Sequence, residues 1–308
     1  MLCSGLKLRV DDNLPDAHPV RGRLAWVVRR WLDSRSGFHR LRDFLPERDA
    51  PTAAADVVAS EGEKPAGRGD AMTIPGRMTE GEWLDAIDPA AMLDFLRDSG
   101  RAGDRKLRLF AVACCRRIWD FLLDNRSRLA LEVSEQYADG LALGEQLGAA
   151  WEAAMAAARA LGHPPAFAAA CVAGSADPST RTSWDAARAM ASSGTPAWDA
   201  SKTTEFLQER AAQAGLLRDL IANPFRPPPG IEPAWLAWQD GLVVKLALAA
   251  YEQRLLPSGE LDTARLAVLC DALEEAGCPP GHELLLHLRG PGPHVRGCFA
   301  LDLLLGRD

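Results

Sequence analysis

The chain has 308 residues, 47% of them hydrophobic and 25% charged, with a formal net charge of -7. That length can bury a core without disulfide or metal staples, and the acidic balance gives no global pull toward nucleic acid or anionic membrane. No apolar run approaches the roughly 20 residues of a membrane-spanning helix. The seven cysteines, an odd number with Cys114 and Cys115 adjacent, do not match a secreted disulfide framework. The first residues, MLCSGLKLRVDDNLPD, lack a secretory leader pattern, so the expected setting is cytoplasmic.

Residues 1–77 carry a net +2 and the remainder -9. The first part ends in PTAAADVVASEGEKPAGRGDAMTIPGR, a polar, Ala/Gly/Pro-rich stretch that reads as linker or disorder. It is expected to be a poorly ordered extension, dispensable or non-native, with the natural start at Met78 or Met72. The alternative is a docking arm: Leu24, Val27, Val28 and Trp31 fall on one helical face beside Arg21, Arg23, Arg29 and Arg30. A packed part of the fold is the third reading.

Downstream, Thr79 and Glu82 stand in capping-box register before Trp83 and Leu84. In DRKLRLFAVACCRRIWDFLLD, the residues Leu107, Phe110, Ala111, Cys114, Ile118, Phe121 and Leu122 form one stripe, with Arg105, Arg108, Arg116 and Asp120 on the other side. Ala-rich helix runs from Arg128 to Leu161, weakened at Gly140, Gly144 and Gly148. HPPAF then breaks it, and a loop-rich insertion is expected near 163–200. Helix resumes at Lys202 and stops at NPFRPPPG. Further helices are expected over Gln239–Leu256, Leu261–Ala276 and GHELLLHL, with a last one opened by Pro293. Period-2 alternation is nowhere convincing. The fold class is all-α, an irregular multi-helix bundle or helical-hairpin array over 78–308.

The blocks MTEGEWLDAIDPAAMLDFLR, DRKLRLFAVACCRRIW, LLRDLIANPFRPPP and LRGPGPHVRGCFALDLLLG resemble a family of uncharacterised helical proteins expanded in planctomycete bacteria. LCDALEEAGCPPGHELLLHLRG is similar, more weakly, to repeat-companion domains of the same bacteria. The resemblance covers Met78 to the C-terminus and implies organisation rather than chemistry. The family pattern has tryptophan where Phe299 stands, which implies an aromatic packing role.

Chemistry-bearing residues concentrate at the C-terminal end, in His294, Arg296, Cys298 and Asp302. Asp302 falls on the apolar face of the last helix with Val295, Cys298, Phe299 and Leu305, and a buried carboxylate there needs a cationic partner. Arg105, Arg108 and Arg116 are the candidates. A rival reading is zinc on Cys278, His282, His294 and Cys298, two pairs at x3 spacing. A second rival is a nucleophile, Cys298 or Cys270 activated by His287 or His294. No phosphate-loop, dinucleotide, zincin or serine-hydrolase motif is present, and no cofactor is called for. The sequence therefore favours a non-catalytic helical module that binds a protein or peptide, with Trp235 and Trp238 as candidate anchors. The alternative is an enzyme or metal site on Cys278, His282, His294, Arg296, Cys298 and Asp302.

Overall fold

The structure, a computed structural model, describes residues 78–162, 164–174, 182, 185–186 and 203–307. The extension at 1–77, its basic stretch at 21–32, and most of the insertion between 175 and 202 lie outside these residues.

The described chain is all-α, with eleven α-helices. Thr79 caps α1 (Glu80–Asp85) through the expected box: its hydroxyl accepts from the Glu82 amide, and the Glu82 carboxylate accepts from the Thr79 amide at 2.7 Å. Asp88 caps α2 (Pro89–Ser99), with proline in the first turn. In α3 (Asp104–Arg117), every residue from Leu107 to Arg116 is buried. The sequence predicted a polar side on this helix. Instead, neighbours cover it all round, and its arginines find partners inside. A 3-10 turn (Trp119–Phe121) leads into α4 (Asn125–Ala138).

Helices α5 (Gly144–Leu161) and α6 (Pro164–Gly174) pack on α4 through Ala130, Ala150, Ala154, Ala170 and Ala173. The predicted insertion thus begins with a helix. Its opening prolines fall in the first turn, where the missing N–H groups are unneeded, and alanines follow. Helix α7 (Thr204–Leu220) completes the first core, in which Trp83, Met92, Leu93, Leu96, Phe110, Leu216 and Leu217 meet.

The second core lies among α8 (Pro233–Glu252), α9 (Thr263–Glu275), α10 (Glu283–Leu288) and α11 (Phe299–Leu305). Helix α8 starts six residues before the predicted position and is kinked at Trp238–Gly241, where Gln239, Asp240 and Gly241 have positive φ. This places Trp235 inside the second core and Trp238, half-buried, against it, so neither tryptophan stands free as an anchor.

The last helix begins at Phe299, not near Pro293. Before it, His294 and Val295 are held by long-range bonds, and Arg296 and Gly297 form a turn closed by the Cys298 amide on the Val295 carbonyl. The His294 carbonyl accepts from the Leu261 amide at 2.7 Å, and Val295 bridges to Glu260. The Val295 amide is taken by Asp219 at 2.8 Å. Backbone groups committed in this way cannot join a helix.

Candidate functional site

Two buried polar clusters meet the C-terminal segment, and they differ in what surrounds their carboxylates. The first is built from arginine. Arg105, in the first turn of α3, donates to both oxygens of Asp302, at 2.7 and 3.0 Å, and to Asp139 and the Tyr251 hydroxyl. Lys106 Nζ bonds Asp302 at 2.6 Å and the carbonyls of Leu220 and Gly297. Arg296 pairs with Asp139 at 2.6 Å and lies over the Tyr251 ring.

Asp139, just past the end of α4, is the hub of this cluster. Burial acts to raise its pKa, but the charge and hydrogen bonds of Arg296, the Tyr251 hydroxyl and Arg105 outweigh it and hold the carboxyl below its ordinary range. Burial pushes the Tyr251 phenol up to about 12. Of the three arginines proposed for Asp302, the structure brings only Arg105 to it. Arg108 donates to the Val172 carbonyl and lies over Tyr137. Arg116 is bidentate to Glu135, at 2.6 and 2.8 Å, and Arg254 reinforces that carboxylate. Arg116 lies on nearly the same face of α3 as Arg105 but three turns, roughly 16 Å, further along, beside Glu135 rather than Asp302.

The second cluster is built from imidazole and thiol. Asp219, in the last turn of α7, accepts from His294 Nδ1 at 2.7 Å and His287 Nε2 at 3.0 Å on one oxygen. Its other oxygen accepts from the Val295 amide. His287 Nε2 also lies 3.3 Å from Cys298 Sγ, and the Phe299 ring packs on His287 at 4.2 Å. One donor atom from each of Asp219, His287, His294 and Cys298 lies within 4.8 Å of the others.

Burial acts to raise the Asp219 pKa, yet the bonds from His287 and His294 keep it low. For His294, burial favours the neutral ring, but Asp219 and the main chain of Gly290 prevail and raise its pKa. The Cys298 thiol is fully buried, and burial together with the Asp219 charge pushes its pKa far up.

This geometry bears on both rivals from the sequence. A cysteine nucleophile needs its histidine to take the thiol proton on one ring nitrogen and be oriented through the other. Here the same nitrogen, His287 Nε2, touches both Cys298 and Asp219, and burial keeps the thiol protonated. Cys270 is buried in the second core, where burial raises its thiol to about 11.

The proposed zinc quartet is divided. His294 and Cys298 are in the cluster, but Cys278 and His282 are elsewhere. Cys278 is buried with its sulfur toward the Pro279 carbonyl. His282 caps α10 and meets Trp235 edge to face. The intervening turn does not fold the two pairs together, because α10 separates them. Arg296 belongs to the arginine cluster.

Sequence reasoning missed Asp219 and Asp139. Asp219 had a usable signal: it falls three residues after core residue Leu216, beside Leu217 and Leu220, so it is a carboxylate on an apolar face. No protein-family profile, curated protein or solved structure matches this chain.

Proposed function

We propose that the chain is a helical interaction module whose docking surface is the groove between α8 and α9. One observation carries this reading. Half-buried Leu246 and Ala249 and exposed Ala264 and Val268 line an open groove of about 300 Å³, with Asp262 and Arg265 at one side. An apolar floor between two helices with a polar edge suits the apolar face of a partner helix or peptide. Val268, 53% exposed, stands next to buried Leu269 on α9.

The described cysteines are free thiols, which supports a reducing, cytoplasmic setting. No helix among the described residues is long and apolar enough to cross a membrane. The motif blocks from Met78 onward support membership of the planctomycete family they resemble.

The test is site-specific photo-crosslinking from position 268 in the expressing host, with position 132 on α4 as control. The expected result is a discrete adduct from 268 that Leu246→Arg removes, with none from 132. Adducts equal at both positions, or unchanged by Leu246→Arg, would overturn the groove as the docking surface.

A further inference from the structure

The cluster around Asp219 holds more chemistry than fastening requires. If the cluster only had to fasten the C-terminal segment to α7, an arginine would serve, as it does a few residues away at Asp302. Instead three different segments each bring a metal-binding side chain to one point: α7 brings Asp219, α10 brings His287, and the segment after Gly290 brings His294 and Cys298.

We propose that Asp219 Oδ1, His287 Nε2, His294 Nδ1 and Cys298 Sγ form a four-coordinate site for a divalent transition cation of the zinc class. One carboxylate oxygen, two imidazole nitrogens and one thiolate are borderline-to-soft donors of the kind zinc takes, whereas magnesium and calcium take oxygen. Bonds of about 2.0–2.3 Å in a tetrahedron put neighbouring donors roughly 3.3–3.7 Å apart. Of the three close contacts, that at 3.3 Å stands at the lower edge of this range and those at 2.7 and 3.0 Å fall short of it, while every donor pair lies within 4.8 Å. A central cation replaces the bridging protons and spreads the closest donors by up to about 0.6 Å.

Charge closes the argument. A carboxylate and a thiolate cancel a divalent cation, and two neutral imidazoles add nothing, so the filled site is neutral where an uncompensated charge would be costly. Binding releases the Cys298 thiol proton and any imidazolium proton to solvent. The carboxylate is oriented by the Val295 amide, and the Phe299 ring packs on His287, contacts that limit how far these two ligands can turn. All four positions are filled by protein, which makes the site structural rather than catalytic. Asp219 is flanked by Leu217 and Leu220 of the first core, while His287 lies between Leu285 and Leu288 of the second. The cation therefore ties the two cores together.

The experiment uses the full chain, free of any affinity tag, stripped with chelator and titrated with cobalt(II) and then zinc. The expected result is one equivalent of cobalt per chain, with tetrahedral visible bands and a thiolate-to-cobalt charge-transfer band, both abolished by zinc. Cys298→Ser should lose the charge-transfer band, and Asp219→Asn and His294→Gln should each weaken binding at least tenfold. Cys278→Ser and His282→Gln should change neither. Far-ultraviolet circular dichroism identifies any variant that has lost its helices, and the wild-type titration does not depend on variants. The proposal is overturned if stripped wild-type protein takes up no stoichiometric cobalt. It is equally overturned by a charge-transfer band that survives Cys298→Ser, or by one that Cys278→Ser or His282→Gln abolishes.

Discussion

The arginine cluster and the imidazole–thiol cluster both bury a carboxylate against the same C-terminal segment, yet they behave as different materials. Asp139 and Asp302 face guanidinium groups, which stay charged at any pH a protein experiences and hold carboxylates in a fixed fork. Asp219 faces groups that can gain or lose a proton or bind a metal. The first arrangement is committed to holding two segments together. The second can exchange protons or take up a cation, which is why the proposed metal site falls there and not at Asp302.

The contrast predicts unequal costs of removal. Asp139→Ala takes the close carboxylate from Arg296 and one of two carboxylates from Arg105, neither of which can shed its charge, and should cost about 3–5 kcal/mol in urea unfolding. A loss below about 1 kcal/mol would mean that water reaches the cluster and the comparison fails. Acid should remove the same contribution in wild-type protein. Because the folded-state pKa of Asp139 is depressed, its stabilisation is fully present above the unfolded value of about 3.9 and is lost as pH falls through the folded value. The stability gap between wild type and Asp139→Asn should therefore be constant near neutrality and close in the acid limb.

In chelator-treated protein, Asp219→Ala should cost less, about 1.5–3 kcal/mol by the same measurement, because it leaves no permanently charged guanidinium without its carboxylate. A cost equal to that of Asp139→Ala would erase the distinction between the clusters. His282→Ala removes a helix cap and an edge-to-face contact with Trp235, both outside the two clusters, and should cost about 1–2 kcal/mol in thermal unfolding. Val268→Arg, on the exposed groove, should stay within about 0.5 kcal/mol of wild type while altering crosslinking.

Much of this architecture is legible in the chain. Capping at Thr79, helix stops at Gly and Pro, and the demand of Asp302 for a cation follow from local rules. The rival zinc quartet read from spacing is half kept: His294 and Cys298 lie near one point, but with Asp219 and His287 in place of Cys278 and His282. What local rules miss depends on distant partners. Residues 293–296 follow a proline and precede an apolar run, so they read as helix. They are not helical because Leu261, Glu260 and Asp219, 33 to 76 positions away, take backbone groups of His294 and Val295, after which the chain turns at Arg296 and Gly297. The kink at Gln239–Gly241 and the burial of Trp235 likewise answer to the second core rather than to period. Asp219 looks like one more acid in an amphipathic helix until its neighbours in space are known.

Gly297 carries a last consequence. It has φ of +88°, and a Cβ there would come within 2.6 Å of Leu109 and 3.0 Å of Leu220, both in the first core. The next residue is Cys298. The hydrogen that glycine carries in place of a methyl group therefore sets how deeply the C-terminal strap can sink between α3 and α7. A single added carbon would have to displace those leucine methyls or shift the strap, and with it the sulfur that sits beside His287.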